Sequence, residues 1–355
     1  MLVPMMPHAL ATGGPGPNTR YVVVGAGAVG VTLAAELHES GSEVLLVARG
    51  GQLAALREKR LRFVRPGGVS GLDLAFAAGP EEVSLTEGDV LVLAVKGQDA
   101  ERTVADWAWR PVARGDGGQE LAARAVPVVV LQNGLDAERI ALRRFAVVLG
   151  ASVWVPSVYV EDGVVVNFAA PTPAVLWIGR YPHGDDHPVL TRLAEDLRAA
   201  SIQVQLVPEI IAWKTLKLIS NTVNSLDALY RDSPLRGRAE RLLADEARTV
   251  FVQAGLPVAD RKQHNTLDLS GFQSQDIPGY PRGGFSTWQS LARSGSLEAD
   301  FLNGEVLLQA RLIGIDAPAN GAVLERIRRA VLEGTPAGSL DDADLAATLP
   351  QLTGG

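Results

Sequence analysis

The stretch IIAWKTLKLISNTVNSLDALY, residues 210–230, reads as one helix on which Lys217, Asn221 and Asn224 can do chemistry. At about 100° per residue these three fall within about 60° of one another. Trp213, Leu216, Leu218, Ile219, Val223 and Leu226 cover most of the remaining face. A helix this apolar is expected to be buried, and a buried lysine beside two amides is costly unless the three line a wet cavity or a ligand. Desolvation also lowers a lysine's pKa, which makes Lys217 a candidate proton donor near neutral pH.

A second stretch, FSTWQSLARSGSLEADFLNGEVLLQARLIG, supplies acids. Glu298 and Asp300 begin its amphipathic part, and Ser286 lies about three turns earlier on a continuous helix. A carboxylate near Lys217 orients it or accepts from a substrate hydroxyl, and periodicity alone does not choose between the two acids. The five histidines form no H-E-x-x-H pattern and no serine sits in a G-x-S-x-G elbow, so no metal site is expected.

The elements that must position these groups begin at Tyr21. Short Val/Leu-rich runs alternate with amphipathic stretches, as in a parallel sheet with crossover helices. Strands are expected at 21–24, 43–48, 89–95, 126–132 and 146–153. Antiparallel strands appended to the sheet follow Trp154, then a helix at 188–200 and a strand at 203–207. From Pro208 onward the pattern is helical, with helices expected at 209–230, 238–254, 286–313 and 322–333 around a loop-rich insert.

Gly25, Ala26, Gly27, Ala28, Val29 and Gly30 match G-x-G-x-x-G between a strand and a helix, the context in which that motif holds a dinucleotide. NAD-selective sites place a carboxylate at the end of the second strand. This chain has Arg49 there, which matches a 2′-phosphate and favours NADP. Lys96 and Asn133 follow two further strands, where open α/β sheets bind ligands.

With 355 residues the chain carries a prior of two domains. Its net charge of −7 argues against nucleic acid and anionic membrane as partners. Without cysteine it has no disulfide framework or thiolate nucleophile, and a cytoplasmic location is the simplest expectation. No run reaches the length of a membrane span. The expected layout is a flexible leader over 1–20, a Rossmann domain over 21–208, a helical substrate and dimerisation domain over 209–335, and a loose tail over 336–355.

Together GAGAVG, LAVKGQ, LQNG, WKTLKLISNTVNSLDAL and GSLEADFLNGEVLLQARLIGIDAPAN resemble the ketopantoate reductase family from about Tyr21 to Ile327. The resemblance implies an α/β Rossmann-type N-terminal domain and an all-α C-terminal domain of the 6-phosphogluconate dehydrogenase-like type. It implies NADP-dependent reduction of a 2-oxo acid ketone, most directly ketopantoate to pantoate in pantothenate biosynthesis, by a chain that can pair as a homodimer. Lys217 then takes the general-acid position and Glu298 the position that contacts a substrate hydroxyl. Asn133, Asn221, Asn224 and Ser286 match substrate positions, with Asn133 also near the nicotinamide. Arg49 and Lys96 match cofactor-side positions.

Three departures fall on the substrate side. Asn224 follows Asn221 by three residues rather than four, an asparagine about ten residues further on is replaced within Arg231, Asp232, Ser233 and Pro234, and the loop before Ser286 is polar and glycine-rich. A different carbonyl or imine substrate is the alternative they suggest. A non-catalytic NADP-binding regulator is the third reading, against which the presence of both Lys217 and Glu298 argues.

Overall fold

The computed structural model describes residues 19–58, 60–293 and 295–352. Most of the leader expected over 1–20 lies outside them. Arg20, its last residue, instead opens the first strand and fixes it with a two-pronged bond to Asp89 at 2.8 Å.

Among the described residues the largest sheet has eight strands. They are β1 (Arg20–Val24), β2 (Glu43–Val47), β3 (Ala75–Ala77), β4 (Asp89–Leu93), β5 (Val128–Val130), β6 (Val148–Trp154), β7 (Val175–Arg180) and β8 (Gln203–Leu206). Their spatial order is β3-β2-β1-β4-β5-β6-β7-β8. The first six are parallel, β7 runs antiparallel to β6, and β8 is parallel to β7. Successive residues feed different cores: Tyr21 and Val23 join one apolar cluster while Val22 and Val24 join another. Both faces of the sheet are therefore covered, which is why its strands read as unbroken apolar runs.

Strand order reverses between β1 and β4, the place where folds of this topology open a ligand crevice at the carboxyl ends of the strands. Helix α1 (Ala28–Glu39) starts there. Gly25 has φ +116°, and a Cβ on it would lie 2.7 Å from the Ala94 carbonyl carbon. A Cβ on Gly30 would lie 2.0 Å from the Gly25 carbonyl oxygen. Both glycines are demanded by the turn and its close packing.

Beyond β8 the chain is mainly helical, with three differences from the sequence expectation. The helix expected over 209–230 breaks into α2 (Ile210–Asn221) and α3 (Asn224–Leu229). The single polar stripe therefore ends at Asn221, and Asn224 starts the next helix as a buried residue. The helix expected over 286–313 divides into α4 (Ser286–Ala292), a 3-10 turn at Ala299–Phe301 and α5 (Asn303–Ile313), so Ser286 and Glu298 do not share one helix. A short strand, Phe272–Ser274, pairs with Ala169–Pro171 inside the segment read as a loop-rich insert.

The strands after Trp154 also divide. Only β7 and β8 extend the main sheet, whereas Ser157–Glu161 and Val164–Asn167 form a second sheet with the hairpin Leu61–Arg65 and Gly68–Leu72, an element the sequence reading missed. Val64, Val164, Val166 and Phe168 give that sheet its own buried cluster. No helix among the described residues is long and apolar enough to cross a membrane.

The tail is not loose over its described part. Asp341 caps α6 (Asp342–Thr348), and Leu345 and Leu349 are fully buried against the helical core. Leu345→Ala should therefore cost about 2–5 kcal/mol in urea unfolding, whereas a fraying tail would show no measurable change.

Candidate active site

The site is assembled at the carboxyl ends of four adjacent strands. The glycine loop follows β1, Lys96 follows β4, Gln132 and Asn133 follow β5, and the end of β6 meets Lys217. On the loop, a Cβ at Gly27 would meet nothing within 4 Å. Nothing in the fold requires glycine there, so the open space above the loop is what Gly27 secures. Gly27 is also the N-cap of α1 and no side chain satisfies the first helix amides. Together these fit the pyrophosphate of a dinucleotide. Arg49 follows β2 and is about half exposed, with Asp106 3.6 Å away.

Lys217 lies on α2, and its Nζ donates to the Val153 carbonyl oxygen at the end of β6. Burial, reinforced by the nearby Lys214 cation and opposed by Glu298, lowers its pKa to about 7. Lys217 itself is half-buried and lines an open pocket.

The sequence reading overlooked Lys214, one turn before Lys217. Its Nζ donates to the Gln132 carbonyl oxygen at 2.9 Å and forms a buried ion pair with Glu138. Burial pushes the Glu138 carboxyl up, and Lys214 pulls it back. The pair thus ties α2 to the residue preceding Asn133. A signal was available, because Lys214 also lies about 60° from Lys217 around the helix.

Glu298 and Asp300 part company. Asp300 is exposed and paired with Arg328, while a Glu298 oxygen accepts from the Gly97 amide at 3.0 Å. Glu298 thereby closes the helical half onto the loop after β4. Lys96 crosses the same gap, donating to Ser290 Oγ at 3.2 Å and to the Ser296 carbonyl oxygen. Burial lowers its pKa and Glu298 opposes that shift. Lys96 therefore faces the helical half in this structure rather than the glycine loop.

Asn133 and Asn221 are partly exposed, Asn224 is buried and Ser286 is exposed. Their side chains make no hydrogen bond to another described residue, which leaves their donors and acceptors for a ligand. Among the described residues no group of three or more His, Cys, Asp or Glu could hold a metal.

A dinucleotide-type crevice facing a helical half, with a depressed-pKa lysine at their junction, defines a two-part oxidoreductase. Residues 21–183 match the family model for ketopantoate reductase PanE/ApbA, and residues 209–331 match the model for its C-terminal part. The chain belongs to the ketopantoate reductase family, oxidoreductases that act on CH–OH groups. A 2-dehydropantoate 2-reductase of Pyrococcus abyssi is 26% identical over 311 residues, 85% of this chain and 94% of the relative. A PanE/ApbA family ketopantoate reductase from Ralstonia eutropha shares the fold with a TM-score of 0.69 at 22% identity, over 89% of this chain and 99% of that one. D-mandelate dehydrogenase, solved with NADH and anilino(oxo)acetate, gives a TM-score of 0.72 at 17% identity, over 90% of this chain and all of the other.

The buried pair yields a stability test. Glu138→Leu leaves a buried uncompensated ammonium and should cost about 3–5 kcal/mol, and adding Lys214→Met should recover most of the loss. Urea unfolding of the single and double variants checks this, and equal losses in both would contradict it.

Proposed function

We propose that this protein reduces the ketone of a 2-oxo acid with NADPH. The observation that carries the reading is Lys217, a lysine of depressed pKa held at the end of β6 by the Val153 carbonyl, in a chain of the ketopantoate reductase family. The family supports ketopantoate, reduced to pantoate for pantothenate, as the first substrate to test.

The loop Gly25 to Gly30 would hold the cofactor's pyrophosphate, with Arg49 beside the adenosine ribose and Asn133 toward the nicotinamide. When bound, NADPH supplies hydride to the carbonyl carbon. Lys217 meets the other end of the carbonyl. Its ammonium, donating to the carbonyl oxygen, stabilises the negative charge that grows as the π bond breaks, and passes a proton to the resulting alkoxide. Glu298 accepts from a hydroxyl of the substrate in exchange for its bond to the Gly97 amide. Asn221, Asn224 and Ser286 supply the remaining polar contacts. Lys214 acts through Lys217 and Gln132, holding the helix in register and discouraging a second full-time charge beside its own.

The same chemistry on a larger 2-oxo acid is the second reading. It is favoured by the departures before Ser286 and after Asn224, and by the aromatic ligand bound to the structurally similar D-mandelate dehydrogenase. For assembly, the exposed Leu308, Leu312, Ile313, Val331 and Leu332 offer an apolar surface suited to a second copy of the chain.

NADPH oxidation by the purified protein against ketopantoate and other 2-oxo acids tests the activity. Lys217→Ala should lower kcat by at least about a hundredfold. A proton donor must be protonated, so kcat/KM for reduction should be level below the lysine pKa of about 7 and fall about tenfold per pH unit above it. A rate unchanged by Lys217→Ala would refute its role. Arg49→Ala should weaken NADPH binding by about tenfold or more while leaving NADH binding nearly constant, read by fluorescence titration; equal losses for both would contradict selection of the 2′-phosphate.

A further inference from the structure

A pocket of about 500 Å³ opens beside Lys217, on the side away from the glycine loop. Along the strand ends the order is the glycine loop at β1, Lys96 at β4, Asn133 at β5 and Lys217 at β6. The pocket lies next in that row, where Ser152 and Trp154 of β6 meet Trp177 of β7 and Trp213 and Leu216 of α2. Lys217 lines this pocket and is the residue it shares with the candidate site.

Its wall is built from indoles. Trp177 stacks on Trp213 with centroids 4.8 Å apart, and Trp154 meets Trp177 edge-on at 5.0 Å. Trp177 and Trp213 are buried, whereas Trp154 is half-buried and keeps surface facing the cavity. Val258 and Ala259 continue the apolar lining. The Arg261 guanidinium lies over the Trp154 ring, 5.0 Å from its centroid, and brings a cation to the wall.

The rim is cationic. Arg248, Arg261 and Lys262 line the pocket with Lys217, and none of the first three is ion-paired with a carboxylate among the described residues. Asp260 also lines it, but its carboxylate accepts from the Lys262 amide as the cap of a short helix. In a chain of net charge −7 this local excess of positive charge suits an anionic ligand. A half-covered indole beside unpaired cations matches an aromatic ring carried by a carboxylic acid.

Resting on the 2-oxo acid reduction above, we propose that this pocket receives the ring of an aromatic 2-oxo acid, with Trp154 as the residue that selects it. Short branched acids leave the indole wall uncovered, and dicarboxylic acids use the cations but not the ring surface.

The test compares kcat/KM for phenylpyruvate, ketopantoate and 2-oxoglutarate in the wild type, Trp154→Ala and Trp154→Phe. The expected result is phenylpyruvate preferred by at least about tenfold, a value typical of one well-placed apolar group in a pocket. The phenylpyruvate-to-ketopantoate ratio should fall by at least about tenfold in Trp154→Ala, mainly through KM, and be largely restored in Trp154→Phe. Should Trp154→Ala not fold, Val258→Phe, which fills the cavity, should lower the same ratio. Preference for ketopantoate or 2-oxoglutarate, or a ratio indifferent to these variants, overturns the proposal and leaves the 2-oxo acid reading intact. No turnover of any 2-oxo acid overturns that reading and this proposal with it.

Discussion

The buried pair between Lys214 and Glu138 is the constraint from which the site follows. It joins the first helix of the helical half to the helix Asp136–Leu142 of the sheet domain, and its lysine also holds the carbonyl of Gln132 beyond the end of β5. Taking two charges out of water costs several kcal/mol per ion, so the pair is tolerable only while both partners stay in place. Helix α2 consequently has one register against the strand ends. Lys217, one turn on, is placed where the carbonyl of Val153 is its protein partner.

The same arrangement gives the two lysines different roles. Lys214 has a carboxylate and stays in its pair. Lys217 has a backbone carbonyl as its hydrogen-bond partner, a cation nearby and Glu298 in opposition, so its charged form is disfavoured. Proximity, burial and partner assignment together lower the pKa of Lys217 and leave Lys214 as an anchor.

Much of this was legible in the chain. Five of the strands, the glycine turn and the lysine helix follow from apolar runs and their punctuation, because a parallel sheet covered on both faces writes itself as unbroken Val and Leu. The breaks at Thr222–Val223 and after Ala292 were not legible. Both segments keep a helical apolar period through the break, and tertiary packing ends the helices. Glu298 could not be told from Asp300 by periodicity, since their difference lies in partners distant in sequence, the Gly97 amide and Arg328. The tail was misread because its small, acidic composition hides two leucines that pack fully. Trp154, Trp177 and Trp213 were likewise scattered along the chain, and only the crossing of β6, β7 and α2 brings them together.

In the free protein Lys217 should exchange its proton near neutrality. The chain has only five lysines, so the side-chain Cε signals of 13C-lysine-labelled protein can be followed singly by NMR and assigned by the signal lost in Lys217→Arg. This signal is expected to titrate with a midpoint of about 7. A midpoint near the ordinary lysine value of about 10.4 would contradict it.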